Sequence, residues 1–150
     1  MKGKIFAAVL GVTLLFTVTI NAGGVNKNVP KANTYEAIEM NRLIGLASDN
    51  LGLRVSCAFN LGEMKSTKAV FPLMQMVREG SCEEERIIAA LSLIKIGDSQ
   101  GVYFVKQSSK FNDCERTRRI CEKFYNGYLL QKYYEEHPEK LTELTVANKM

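Results

Sequence analysis

Arg54 to Cys82 reads RVSCAFNLGEMKSTKAVFPLMQMVREGSC, and Arg86 to Cys114 reads RIIAALSLIKIGDSQGVYFVKQSSKFNDC. Shifted by 32 residues, the two segments match position by position: Arg54 with Arg86, Ala58 with Ala90, Leu61 with Leu93, Val70 with Val102, Phe71 with Tyr103, Gln75 with Gln107, Cys82 with Cys114. A period of roughly 20–50 residues marks units that cannot bury their apolar faces alone and stack on one another. The repeat therefore predicts an all-α helical solenoid, an architecture whose usual work is binding.

Within each unit the apolar residues recur at steps of three and four. Leu53, Cys57, Ala58, Leu61 and Met64 form one stripe, and Ala69, Val70, Leu73, Met76 and Val77 form a second. Ile88, Ala89, Leu93 and Ile96, then Val102 and Val105, repeat the pair. Ser108 and Ser109 stand where Met76 and Val77 stood, which predicts the most weakly packed helix of the array. Upstream, Ile38, Met40, Leu43, Ile44 and Leu46 mark a first helix, and downstream Ile120, Cys121, Phe124, Tyr128 and Leu129 mark a long closing one that ends at Pro138. Five or six helices follow, at 34–47, 51–64, 67–79, 83–96, 99–111 and 115–136.

The segments Ala58 to Leu73 (AFNLGEMKSTKAVFPL) and Ala90 to Val105 (ALSLIKIGDSQGVYFV) resemble short HEAT-like repeats of the phycobilisome-lyase type. Those carry an arginine, paired alanines, an isoleucine-glycine-aspartate turn and an alanine-valine-proline-x-leucine second helix. The resemblance covers residues 35–125 and implies a short right-handed α-solenoid of helical hairpins. Proteins with this repeat include chromophore lyases, a metal-dependent hydroxylase and scaffolds, so the resemblance speaks to architecture and leaves activity to the residues.

Outside the repeats, residues 1–22 have the three parts of a secretory signal peptide: Lys2 and Lys4, an uncharged run from Ile5 to Ile20, then Asn21-Ala22-Gly23. Retention as an uncleaved anchor is the alternative, although the run is short of the about 20 apolar residues that a span needs. Residues 23–33 read as a polar linker, 34–136 as the repeat domain and 137–150 as a polar tail. The whole chain has 20 basic and 16 acidic side chains, net +4; without residues 1–22 the count is 18 against 16, net +2. That charge and an exported location, periplasmic or secreted, disfavour nucleic acid as a partner.

Catalytic chemistry has little to draw on. His137 is the single histidine and stands beside Pro138 at the end of the last helix, so a multi-histidine metal site has no ligands and a histidine-based triad is hard to assemble, and no nucleophile elbow or phosphate-cradling glycine loop is visible. No cofactor, metal or catalytic residue is expected. Four cysteines in an exported chain raise the question of disulfides. Stacked helices about 8–10 Å apart place Cys57 and Cys121, two repeats distant, too far for a bridge and read them as buried small residues. Cys82 and Cys114 begin helices in adjacent units and are the one pair to watch, either as a bridge or as reactive thiols. Arg54, Arg86 and Arg118 form a ladder at the repeat spacing, read as pairing with acids or loop carbonyls between units in preference to an anion-binding strip.

One pattern points to function. Phe71, Gln75 and Arg78 correspond to Tyr103, Gln107 and Lys110, so an aromatic, an amide and a cation recur at steps of four and three. At about 100° per residue the stripe turns roughly 130° from the apolar face. Two readings fit: a groove for a protein or peptide partner, or packing of the aromatics against the next repeat. The function expected is a non-enzymatic scaffold or accessory module; a small-ligand or chromophore holder of lyase-like or chaperone-like type, using a thiol, is the alternative.

Overall fold

The computed structural model describes residues 34–140. The expected signal peptide, the linker and residues 141–150 of the tail lie outside the described residues. All the regular structure described is helical: α1 (Thr34–Gly45), α2 (Leu51–Glu63), a 3-10 turn (Thr67–Ala69) leading into α3 (Val70–Glu79), α4 (Glu83–Ile96), α5 (Ser99–Phe111) and α6 (Glu115–Glu136). The expected boundaries agree with these to within a few residues.

Local chemistry sets the ends. The Asn50 side chain accepts from the Leu53 amide at 3.1 Å and starts α2, and Asp98 accepts from the Gln100 and Gly101 amides at 2.9 and 3.3 Å and starts α5. Gly97 closes α4 at φ +74°, a left-handed conformation that costs glycine nothing.

The core is a continuous line of buried side chains from every helix after α1: Ala58 and Leu61 of α2, Leu73 and Val77 of α3, Ala89, Ala90 and Leu93 of α4, Val105 of α5 and Cys121 of α6, with Leu43 of α1 and Leu46 just after it packed against it. Cys57, Ala89 and Cys121 occupy one position in three successive units and all are buried, which agrees with their reading as small packing residues. At Gly62 a Cβ would lie 2.8 Å from the Cα and Cβ of Ser92, so α2 and α4 approach where neither carries bulk.

α4 lies at the centre, against α2, α3, α5 and α6, and the most extensive pairings besides α2 with α4 are α3 with α4 and α5 with α6. Each second helix thus packs chiefly on the first helix of the following unit, and the packing boundary falls inside the sequence repeat.

Several side chains differ from expectation. Leu53 and Leu129, expected to pack, are 49% and 45% exposed, so each lies at the margin of its helix's apolar face. Ile38, Met40 and Ile44 of α1 are also exposed: α1 packs chiefly on α2, and the residues it buries are Glu39, held by Ser66 and Lys68, and Gly45, with Leu43 and the following Leu46 partly covered. Ser108 is buried at the position of Met76, and the Ser109 hydroxyl turns back to the Lys106 carbonyl at 2.7 Å.

Candidate functional site

The arginine ladder frames the structure on which any site is built. Arg54 donates to the Ser48 carbonyl at 2.8 Å, Arg86 to that of Gly80 at 2.9 Å, and Arg118 to that of Asn112 at 2.6 Å. The three acceptors lie one period apart, each at the end of the preceding helix, where free carbonyls favour a cation. Arg54 also reaches forward to Glu85 and Ser81. In the next unit Arg86 reaches Asp113, the counterpart of Ser81, while Thr117 takes the place of Glu85 and its buried hydroxyl has no hydrogen-bond partner among the described residues. The acid has moved by four residues between units, from within the first turn of α4 to the loop before α6. The ladder is structural.

The aromatic-amide-cation stripe lies on α3 and α5. Phe71 is 76% exposed and Tyr103 61%, so neither ring is consumed by packing between units. Gln75, Arg78 and Lys110 are exposed as well, whereas Gln107 is half-buried. The two halves differ in their electrostatics. On α3, Gln75 and Arg78 both donate to Glu79, at 3.0 and 2.6 Å, and together hold its carboxyl below the usual range, the Gln75 contact foremost. On α5 the counterpart of Glu79 is Phe111, 79% exposed, and the helix carries no acidic residue. Lys110 accordingly has no carboxylate partner among the described residues. Lys106 lies over the Tyr125 ring at 5.5 Å, a cation–π contact that joins α6 to the same surface. Of the other tyrosines of α6, Tyr125 and Tyr134 are half-buried, and Tyr133 is exposed and stacks on His137 with centroids 4.5 Å apart.

Two grooves flank the stripe. Between α3 and α5 a groove of about 240 Å³ is lined by Phe71, Met74, Gln75, Arg78 and Phe104. Between α1 and α3 a larger one, about 540 Å³, has Leu43, Leu46, Pro72 and Met76 among its apolar walls and the Arg54–Glu85 pair at its base. Gln75 lines both. The sequence reading missed Phe104, Lys106 and Phe111, although a count of charge along α5 alone would have shown its purely basic character.

The thiols fall into two classes, and all four are free. Cys57 and Cys121 are buried, and burial pushes the Cys121 thiol up to about 11. Cys82 and Cys114 cap α4 and α6, are partly exposed, and share one cleft with Ser81, Glu83, Arg86 and Asp113. The Cys114 thiol donates to Glu83 at 3.1 Å and accepts from the Thr117 amide at 3.5 Å. With the Arg116 pairing, that hydrogen bond keeps the Glu83 carboxyl below its ordinary value. Neither flanking groove contains a cysteine. Among the described residues no group of three or more His, Cys, Asp or Glu could hold a metal ion, and no helix is long and apolar enough to cross a membrane.

No family model matches the chain, and no curated protein matches it. The HEAT-like resemblance thus rests on the repeated residues themselves.

Proposed function

We propose that this chain is an exported HEAT-like repeat protein, a short α-solenoid that works as a non-enzymatic scaffold or accessory module by binding a protein or peptide across α3 and α5. The observation that carries this reading is the exposure of Phe71, Tyr103 and Phe111 on two helices that also carry Arg78, Lys106 and Lys110. Large exposed aromatics beside cations are costly on a surface with no partner, and these residue types dominate interface energetics. The 32-residue period and the repeated Arg54/Arg86/Arg118 contacts support stacked units. Export rests on the character of residues 1–22.

The test is capture of a partner from the native envelope fraction with the immobilised chain, repeated with Phe71→Ala combined with Tyr103→Ala. Binding through the stripe predicts capture weakened at least tenfold, about 1.4 kcal/mol, with melting unchanged. A double variant that melts normally and captures normally would reject the surface. The thiol-dependent small-ligand reading draws on the shared cleft of Cys82 and Cys114. It predicts instead a co-purifying chromophore or lipid that is lost on Cys82→Ser or Cys114→Ser.

A further inference from the structure

The two grooves beside the stripe occupy equivalent places one period apart. Leu43 and Leu46 in the first correspond to Gln75 and Arg78 in the second, and Pro72 in the first corresponds to Phe104 in the second. The second groove is partly filled from within, because Phe104 packs against the core between α3 and α5. In the first, the short ring of Pro72 stands where that aromatic stands, and the α1–α3 gap stays open, with Leu43 and Leu46 half-exposed on one wall and Met76 on the other. The volumes, about 540 against 240 Å³, run in the same direction.

We infer that the α1–α3 groove is a socket for one aromatic side chain of an acidic peptide segment, the partner supplying from outside what Phe104 supplies from within in the next unit. This rests on the peptide-binding reading above and adds the partner's chemistry. The acidic character follows from the surface that leads out of the socket. Gln75 forms a wall common to both grooves, the second groove continues to Arg78, and α5, which borders that groove through Phe104, carries Lys106 and Lys110. The carboxylates at the socket, Glu79 and Glu85, are already paired with Arg78 and Arg54. With Arg78 and Arg54 taken up by those carboxylates, the positive charge left for a chain leaving the socket toward α5 is that of Lys106 and Lys110, which Asp or Glu next to the anchor would complement. An aromatic anchor suits the cavity because a flat apolar ring fills a slot between two helices with few rotamers to immobilise.

The experiment is selection of a random 12-residue displayed-peptide library on the full chain, with the enriched sequences made as fluorescent peptides and titrated by polarisation. The inference expects enrichment of peptides with Phe, Tyr or Trp within about four residues of two or more Asp or Glu. Pro72→Phe, which installs the internal plug, should weaken their binding at least tenfold without lowering the melting temperature. Should that variant fold poorly, Leu43→Gln with Leu46→Arg, the second groove's own residues, should give the same loss. Lys106→Glu with Lys110→Glu should also weaken binding at least tenfold. Enriched peptides without an aromatic, with basic flanks, or indifferent to both groove variants would overturn the socket. If such peptides still lose binding on Phe71→Ala with Tyr103→Ala, peptide recognition by the stripe survives. If no peptide is enriched, or none responds to that double variant, both fall. An apolar dye displaced by Pro72→Phe where no peptide is enriched would assign the groove to a small molecule and overturn the inference.

Discussion

Arg54 of α2 holds Glu85 of α4 with two donors, Nε to Oε1 at 2.6 Å and Nη2 to Oε2 at 3.2 Å, and the carboxylate is almost wholly buried. The Ser81 amide and hydroxyl complete the shell at 2.8 and 2.7 Å. A buried carboxylate is tolerated only when its lone pairs are satisfied in this way. The arginine foremost, then the serine contacts, outweigh desolvation and bring the Glu85 carboxyl from 4.5 down to about 2.

This pair gives stability a defined acid dependence. A carboxyl depressed on folding stabilises fully above its unfolded value and loses that contribution as pH falls through its folded one. Glu85→Gln should cost about 3 kcal/mol at pH 7, and the gap to the parent should close between pH 4.5 and about 2. Urea denaturation at pH 7, 4 and 2.5 measures it; a gap independent of pH would show that the charge is not what matters.

Leu61 and Leu93 are fully buried at equivalent points of α2 and α4. Either leucine replaced by alanine leaves a cavity and should destabilise by about 2–5 kcal/mol. Chemical denaturation giving losses under about half a kcal/mol at both sites would mean that the core is assigned to the wrong faces.

Two glycine-to-alanine changes should act in opposite directions. At Gly62 the new methyl would sit 2.8 Å from Ser92 backbone and side chain, so α2 must shift off α4, at a cost of about 1–3 kcal/mol. At Gly127, inside α6, nothing lies within 4 Å, and alanine should add up to about 1 kcal/mol of helix propensity. Thermal melts of the two single variants check this, and equal shifts would argue against the close α2–α4 contact.

Thiol accessibility should divide the cysteines in half. In the folded, reduced protein iodoacetamide should label Cys82 and Cys114, while Cys57 and Cys121 react only after denaturation, since both are buried and Cys121 also stays protonated up to about 11. Peptide mass spectrometry distinguishes the sites. Labelling of Cys121 in the native state would show that α6 detaches readily from α4.

The stripe was legible because its direction is a property of one helix: Phe71 and Tyr103 lie off the Val70/Leu73/Val77 face by helical geometry alone, and both are exposed. Its electrostatic asymmetry was half legible. That Phe111 replaces Glu79 follows from the period, but that Glu79 binds Gln75 and Arg78 together depends on side-chain geometry. The α1–α3 groove was not legible, because it is a space between helices that the chain separates by a whole turn of the repeat.

The sequence by itself determined the helices, their limits within a few residues, the 32-residue period and the core positions Ala58, Leu61, Ala89 and Leu93, since each follows from spacing and capping within one turn or two of the chain. Tertiary structure alone decided that Arg54 closes on Glu85 while Arg86 closes on Asp113, that each second helix packs chiefly on the next unit, and that Leu53 and Ile44 stay exposed. Those outcomes depend on which face meets which neighbour across about thirty residues, and a helical periodicity specifies that a helix has an apolar face without specifying what will cover it.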